Sequence, residues 1–225
     1  YMDVLNANDY IQYINEKTPG TYASDYNPET RDWQRELTRT ANTQSYRLTI
    51  NGGNNTLNYY LAGGYIKNNS LIKNSGLNQY DLKTKFKYNL TNRLSLAGNY
   101  YVLCRKNDMT TGTDGLGNPN SSLARQMILH KPFYANNSED DDTEDMFTPD
   151  NWLTDYRDYS QEKRNVLSLS ADYSIIKGLT FHLMGSYDNR NKDRSRWYAN
   201  GTYTGYHVNG QLGIQNMESE KYGIE

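Results

Sequence analysis

Residues 80–90 read YDLKTKFKYNL, and two kinds of side chain alternate through this stretch without interruption. Because successive side chains of an extended strand point to opposite faces, the alternation predicts a strand with two unlike faces. One face would carry Tyr80, Leu82, Thr84, Phe86, Tyr88 and Leu90. The other would carry Asp81, Lys83, Lys85, Lys87 and Asn89. Soluble sheets show the same alternation, so the stretch alone leaves open which of its faces meets water.

The composition of the chain limits the classes of protein to which it could belong. It has 225 residues and a net charge of -2, which gives no reason to expect a nucleic-acid partner. Its mean hydropathy is -0.96, and the sequence has no run of about eighteen apolar residues that would predict a membrane-spanning helix. A membrane β-barrel stays open, since only alternate residues of its strands face lipid. The 22 tyrosines, against 4 phenylalanines, suit an interface because the tyrosine ring has one apolar and one polar end.

The two ends of the sequence are expected to be those of an internal piece of a longer protein. The opening YMDVLNANDY has neither the basic nor the apolar region of a signal peptide, which leaves a cytoplasmic protein or an internal piece. The closing MESEKYGIE predicts neither a terminal strand nor a capped helix, which favours the internal piece. Cys104 is the single cysteine, and we interpret it as a strand residue rather than a nucleophile.

Residues 1–43 predict a connecting segment that leads into the strands. The residue types that start helices occur twice in it. One short helix is predicted to begin at Asn8 or Asp9. A second is predicted to have Pro28 at its first helical position, with Trp33 and Leu37 on one face.

The remainder of the chain divides by the period of its apolar residues. Period-two alternation predicts strands one to four in residues 44–104 and strands five and six in residues 161–188. Residues 105–160 predict a long loop that contains a short helix at SSLARQMILH. Residues 189–225 predict another loop, in which WYANGTYTGYHV is the candidate start of a seventh strand.

The predicted connections alternate between short and long. Short ones follow the first, third and fifth strands, at NGGNNT, TNR and IKG, and longer ones follow the second, fourth and sixth. Outer-membrane barrels show this pattern because their periplasmic turns are tight and their extracellular loops extended. A soluble sandwich has no physical reason to sort its loops by end. The two long loops are therefore predicted to be extracellular.

In such a barrel the apolar face of each strand touches lipid. Reversing the faces of the third strand would place Lys83, Lys85 and Lys87 in hydrocarbon, at roughly 2–4 kcal/mol each near the midplane. These lysines are therefore predicted to face a wet lumen. Tyr80 and Tyr88 would differ in height by roughly 19 Å, close to an apolar band of ~25 Å with an aromatic girdle at each edge. The alternative is that such tyrosines cap a soluble core.

Six or seven strands are too few for a closed wall of this kind. Unpaired edge strands are costly in a bilayer, because each exposed backbone group lacks a partner there. The fold class predicted is thus all-β: an antiparallel, up-and-down transmembrane β-barrel segment, part of a larger barrel, with short helices in its connecting loops.

Four strings resemble, in this order, the early barrel of the SusC/RagA-type TonB-dependent transporters of the Bacteroidetes outer membrane. They are RDWQRELTRTA, QSYRLTINGGNNTLNYYLAGGY, LIKNSGLNQYDLKTKFKYNLTNRLSL and ADYSIIKGLTFHLMGSYD. Each string is weak alone, but their order and spacing together are specific. The resemblance covers residues 30–104 and 160–188.

The resemblance implies a barrel of about 22 strands with a plugged lumen. It further implies uptake of oligosaccharides or peptides, TonB as an energy-coupling partner through a segment outside the quoted strings, and a SusD-like lipoprotein as a lid. Outer-membrane lipid would surround the wall, and the localisation implied is the cell outer membrane. This chain by itself would then transport nothing.

The residues predict no catalytic, cofactor or metal site. His130, His182 and His207 lack a metal-ligand spacing such as HExxH, and the serines lack a GxSxG elbow. The acidic run at residues 139–145, EDDDTED, offers oxygen ligands for Ca²⁺, although a solvated loop is the alternative interpretation.

Four aromatic residues of the long loops are candidates for ligand contact. They could stack on sugar rings or pack beneath a lid protein, and equally they could pack the loops against one another. They are Trp152, Tyr156, Tyr159 and Trp197.

Three hypotheses of function follow. The leading one is a fragment of a TonB-dependent nutrient importer, which is not an enzyme. The second is an outer-membrane enzyme or adhesin barrel, and the third is a soluble β-rich binding domain. The residues leave the cargo open.

Overall fold

The structure is a computed structural model that describes residues 1–110, 123–134 and 147–225. These residues form one sheet of seven antiparallel strands, in which each strand pairs with its neighbours in the sequence. The strands are β1 (Asn42–Gly53), β2 (Leu57–Asn69), β3 (Gly76–Asn89), β4 (Leu94–Met109), β5 (Tyr156–Ile176), β6 (Leu179–Tyr198) and β7 (Gln211–Ile224). The helices of the same residues are α1 (Ala7–Lys17), α2 (Trp33–Leu37), α3 (Leu123–Leu129), α4 (Asn151–Thr154) and α5 (Tyr203–Val208). The up-and-down order and the helices confined to connections confirm the predicted all-β class.

The strands are longer than the alternation of apolar residues predicts. β4 continues to Met109, β5 begins at Tyr156 and β6 continues to Tyr198. Over much of these extensions both faces carry polar residues, as in Asn189, Arg190 and Asn191 of β6. A strand needs an apolar face only where that face is dry, so backbone pairing continues after the sequence pattern has ended.

The connections lie at two ends of the sheet. The short-turn end holds residues 54–56, 90–93 and 177–178, and the long-loop end holds residues 70–75, 199–210 and the described parts of the connection from β4 to β5. At the short-turn end Gly178 has φ +91°, a conformation that side chains with a Cβ rarely adopt. The alternation of short and long connections predicted from the sequence is therefore present.

The seventh strand lies elsewhere than predicted. WYANGTYTGYHV spans the end of β6, a turn and α5. Thr202 caps α5, its Oγ1 accepting from the amide of Gly205 at 3.1 Å. β7 begins only at Gln211. The cap and the helix satisfy the backbone groups of this stretch with local hydrogen bonds, whereas a strand would have needed partners on a neighbouring strand.

Both N-terminal helices begin at residues other than those predicted. Asn6 caps α1, accepting from the amide of Asp9 at 2.9 Å. α2 begins at Trp33 behind Asp32, which accepts from the amide of Arg35 at 3.1 Å. The predicted start at Pro28 is wrong because the chain before α2 pairs with a distant loop: the Arg31 amide donates to the Pro132 carbonyl at 2.7 Å.

The two clusters of buried apolar residues lie at the long-loop end of the sheet. One cluster joins α2, the long loop and the ends of β5 and β6, and it comprises Trp33, Leu37, Leu123, Trp152, Tyr156 and Tyr198. A second cluster packs α1 against Phe133 of the long loop. No helix among the described residues is long and apolar enough to span a membrane.

Candidate functional site

One face of the sheet is apolar and exposed from β1 to β7; we call it the apolar face. The strand register brings Leu48, Gly63, Leu82 and Val102 into one row across four strands. Leu48 is 70% exposed and Phe181 is 56% exposed. Such a continuous apolar surface is far larger than monomeric soluble proteins expose, so the face must meet an apolar partner. Its large exposed members include Leu48, Ile50, Leu57, Leu61, Leu82, Phe86, Leu167, Leu169, Phe181 and Leu183.

Tyrosines border this face towards the long-loop end. The rings of Tyr46, Tyr65 and Tyr80 stack, with centroids 6.4 Å apart in the first pair and 4.7 Å in the second. On β4 the corresponding ring is Tyr100, which pairs with Thr84 and so lies nearer the short-turn end. This step from strand to strand is expected when strands are tilted against the border. We call these residues, with Tyr187 and Tyr222 of β6 and β7, the upper belt.

A second set of aromatic residues borders the apolar face at its other edge. On β2 it lies at Tyr59 and on β3 at Tyr88. Tyr173 and Phe181, which pair with each other, continue it on β5 and β6. On one strand the two border residues are six to eight positions apart, which at 3.4 Å each and a tilt near 45° is a height of roughly 14–19 Å. This lower belt and the upper belt enclose the apolar residues as two girdles enclose the lipid-facing band of a barrel.

The opposite face is polar, and it carries the three lysines singled out in the sequence. Lys83, Lys85 and Lys87 are exposed on it and pair in register with Ala62, Tyr60 and Asn58. That these lysines face a lumen stays a prediction.

Ion pairs cross the polar face between β5 and β6 near the long-loop end. The Nε of Arg194 donates to Asp158 at 2.7 Å, and its second nitrogen makes a further short contact with the same carboxylate. The Nε of Arg190 donates to Glu162, also at 2.7 Å. The side chains of Asp158 and Glu162 are buried. Charged acceptors in dry surroundings need paired donors, so these arginines hold the extended strands in register.

Sequence reasoning missed this set of ion pairs. The two strands do carry opposite charges, in DYSQEKR of β5 and DNRNKDRSR of β6. Which charges meet depends on the strand register, and that register follows from residues outside both strings.

The four aromatic candidates do not converge on one site. Trp152 and Tyr156 are 5% and 2% exposed and belong to the buried cluster, with ring centroids 4.8 Å apart. These two pack the long loop against β5, which was the alternative interpretation. Tyr159 and Trp197 share the register positions of the apolar face, and Trp197 is 42% exposed. Ligand contact by these two stays a prediction.

Tyr156 is held in its neutral form. Its hydroxyl donates to Asp158 Oδ2 at 3.0 Å. Burial raises the pKa of Tyr156, and the negative charge of Asp158 raises it further. The phenol therefore remains a hydrogen-bond donor to the carboxylate that Arg194 also binds.

Arg31 connects the N-terminal segment to the long loop. Its guanidinium carbon lies 4.8 Å from the ring centroid of Tyr134 and 5.7 Å from that of Trp33. Its Nη2 lies 2.6 Å from Glu36 Oε2. Tyr134 in turn donates to Asp150 at 2.8 Å. Cation–π contacts and an ion pair thus fix two parts of the long loop on α2.

The described residues hold no group of three His, Cys, Asp or Glu side chains that could bind a metal. The three histidines lie apart: His130 packs on Trp33, His182 contacts Asp172 at 2.5 Å, and His207 packs on Tyr203. The acidic run at 139–145, predicted as a calcium ligand or a solvated loop, lies outside the described residues.

Two curated relatives match the sequence, whereas no family model matches it. The chain is 23% identical to TonB-dependent receptor P3 of Formosa agariphila, over 98% of this chain and 23% of that protein. It is 31% identical over 78 residues to TonB-dependent receptor SusC of Bacteroides thetaiotaomicron, which is 35% of this chain and 8% of SusC. The chain therefore spans about a quarter of the first relative and less of the second.

Solved structures show the same fold. The RagAB peptide importer in its closed-closed state superposes with a TM-score of 0.65 at 16% identity, over 97% of this chain and 26% of the importer chain. Its open-open state superposes with a TM-score of 0.58 at 18% identity, over 88% and 24% of the two chains. This chain is thus similar in sequence, at low identity, to the TonB-dependent receptors P3 and SusC, and it shares its fold with about a quarter of the RagAB importer chain.

Proposed function

We propose that this chain is a section of the wall of a TonB-dependent nutrient importer in the cell outer membrane. The observation that carries the proposal is the exposed apolar face enclosed by two aromatic belts, with a charged face behind it. In this orientation the apolar face touches acyl chains, and Lys83, Lys85 and Lys87 line a water-filled lumen. The long-loop end is extracellular and the short-turn end periplasmic.

The cargo is an oligosaccharide or a peptide. SusC and the RagAB peptide importer support this pair of classes by similarity only, and at 16–31% identity they do not separate the two. A SusD-like lipoprotein covers the extracellular end, where the long loop is fixed on α2 by Arg31 and Tyr134. TonB supplies energy through a part of the complete protein outside this chain.

Site-directed spin labelling tests which face meets lipid. The complete gene product, with Cys104→Ser to remove the single cysteine of this segment, receives one nitroxide label at position 82, 83, 85 or 86 and is placed in vesicles. We expect labels at 82 and 86 to respond to dissolved oxygen and labels at 83 and 85 to respond to an aqueous nickel complex. The proposal fails if labels 82 and 86 both report bulk water.

Uptake by cells tests the transport part separately. A strain that expresses the complete gene product and its neighbouring lipoprotein is supplied with fluorescent oligosaccharides and peptides, with and without a functional TonB complex. We expect TonB-dependent uptake of one class, and its loss when the lipoprotein gene is deleted. Equal uptake in strains with and without TonB would contradict energy coupling.

A further inference from the structure

A groove interrupts the apolar face beneath the upper belt. Its volume is about 720 Å³, and it lies across β1 to β4. A Cβ built on Gly63 would have no heavy atom within 4 Å, so this glycine leaves its floor open. The residues that line the groove with apolar-face side chains are Tyr46, Leu48, Tyr65, Tyr80, Leu82, Val102 and Cys104.

The shape of the groove suits a single acyl chain. Gly63 on β2 pairs with Leu48 on β1 and with Leu82 on β3. The two leucine side chains therefore line both sides of a gap that is one strand wide and lies over Gly63. If the gap were empty in a hydrocarbon environment, the side chains that line it would lose dispersion contacts. A methylene chain is the group that a bilayer can supply to fill it.

Basic side chains lie on the same face, on the long-loop side of the groove. They are Lys67, Lys106 and Lys163, and all three are exposed. Within the part of the chain that the structure describes, no ion pair is found for any of them. Lys67 and Lys106 both pair with Asn78, so their strands are about 10 Å apart. Lys163 pairs with Cys104 and is a diagonal neighbour of Lys106, at about 7–8 Å.

The carboxylates of this face do not neutralise the lysines at the groove. On the apolar face of β1, β2 and β3 there is no acidic residue among the described strand positions. Asp108 lies two residues beyond Lys106 along β4, Asp193 lies on β6, and Glu218 and Glu220 lie on β7; all four are farther from the groove than the lysines. Positive charge is thus concentrated next to the groove, and the tyrosine rings lie between the lysines and the groove.

We propose that the groove and these lysines form one binding site for an anionic, phosphate-bearing lipid of the outer leaflet. One acyl chain lies in the groove at Gly63, the tyrosine rings flank the headgroup boundary, and the lysines contact headgroup phosphates. The proposal rests on the proposed function, because it needs the apolar face to lie in a bilayer with the long-loop end outward. The lipid site goes beyond the proposed function because it assigns a specific lipid to one place on the wall.

Native mass spectrometry of the complete gene product in detergent tests the site. The probe is bisphosphorylated lipid A, compared with the same lipid after removal of its phosphates. We expect one tightly retained molecule of the phosphorylated lipid per protein. Gly63→Leu fills the groove without a backbone penalty, since φ at this glycine is not positive, and should lower retention of both lipids about tenfold through lost methylene burial.

The lysines are tested by the joint change Lys67→Ala, Lys106→Ala and Lys163→Ala. Because each lysine near an anionic headgroup favours binding, the preference for the phosphorylated lipid should fall at least about tenfold. Retention of the dephosphorylated lipid should stay the same. This separation distinguishes loss of a phosphate contact from a general loss of folding.

Two matched variants serve as controls. Gly185→Leu adds the same side chain to the same face on β6, where a Cβ also meets no atom within 4 Å, but away from the lysines. Lys192→Ala removes a lysine from the polar face. Both should retain lipid A as the unchanged protein does.

Three outcomes would overturn the proposal. Gly63→Leu and Gly185→Leu could prove equal, the triple lysine variant could keep its full preference, or millimolar inorganic phosphate could displace lipid A and so reveal a site for free phosphate. If the spin labels described above report a bilayer while any of these outcomes occurs, only the lipid site fails. If the labels report water, the proposed function fails as well.

Discussion

Asp158 shows how single residues stabilise the long-loop end. Its side chain is 1% exposed, and it accepts from Arg194 and from the Tyr156 hydroxyl. A buried carboxylate of this kind depends on all its donors, because water cannot replace them. The contact with Arg194 joins β5 to β6 across 36 positions of the sequence.

Arg194→Ala should therefore destabilise the complete protein strongly. Removing one partner of a buried ion pair costs roughly 3–5 kcal/mol, which denaturant unfolding in vesicles would measure. Arg35→Ala is the matched control: Arg35 pairs with Asp32 on the surface and is 79% exposed, so its loss should cost about 0–1 kcal/mol. Equal effects of the two variants would show that the Asp158 site is wet.

Tyr156 predicts a dependence on alkaline pH. Burial raises the pKa of Tyr156 in the folded protein above its value of about 10 in the unfolded chain. The contribution of Tyr156 to the free energy of unfolding is therefore fully present below pH ~10, and it is lost as the pH rises through the folded-state pKa. The unchanged protein should thus lose stability above pH ~10 more steeply than Tyr156→Phe. The fluorescence of Trp152, whose ring lies 4.8 Å away, reports the transition. The exposed Tyr206→Phe is the control, and identical slopes in all three proteins would contradict the prediction.

At the scale of the element, β3 carries the strongest evidence for which face is apolar. Its register with β2 and β4 places the even-numbered residues from Tyr80 to Tyr88 beside apolar, aromatic, glycine or cysteine neighbours, whereas Lys83, Lys85 and Lys87 lie on the other face. A sequence with period two can satisfy this arrangement in only one way, since a shift by one residue exchanges the faces.

Leu61→Lys should impair membrane assembly of the complete protein, because Leu61 lies on the apolar face between the two belts and pairs with Thr84, midway between Tyr80 and Tyr88. A lysine on the lipid face costs roughly 2–4 kcal/mol near the midplane, and the folded fraction in vesicles, read from heat-modifiable gel mobility, measures this. Ser168→Lys makes the same change on the polar face, between Asn99 and Ser186, and should leave the folded fraction unchanged. A larger loss with Ser168→Lys would mean that the two faces are assigned in reverse.

At the scale of the whole molecule, the sheet formed by the described residues has two unpaired edges, β1 and β7. Tyr222 and Ile224 of β7 are among its most exposed apolar residues. In a bilayer each unpaired backbone group of an edge costs several kcal/mol. A wall of these seven strands therefore requires further strands to close it.

The chain expressed alone should accordingly fail to insert as a stable unit. We expect that after refolding into vesicles it remains fully sensitive to added protease, whereas the same residues within the complete gene product are protected. The measurement is the recovery of the β1–β7 peptides after digestion. Protection of the isolated chain, with a cooperative unfolding transition, would show that the seven strands suffice.

The sequence alone determined the features that depend on neighbours along the chain. Period-two alternation located the strand cores and their faces, and the glycine of the IKG turn adopts the positive φ expected of it, because each is decided within a few residues. Only the tertiary structure decided the start of α2, the extensions of the strands beyond the apolar face, the burial of Trp152 and the ion pair between Asp158 and Arg194. These depend on partners tens of residues away, and such partners meet only once the sheet has set their register.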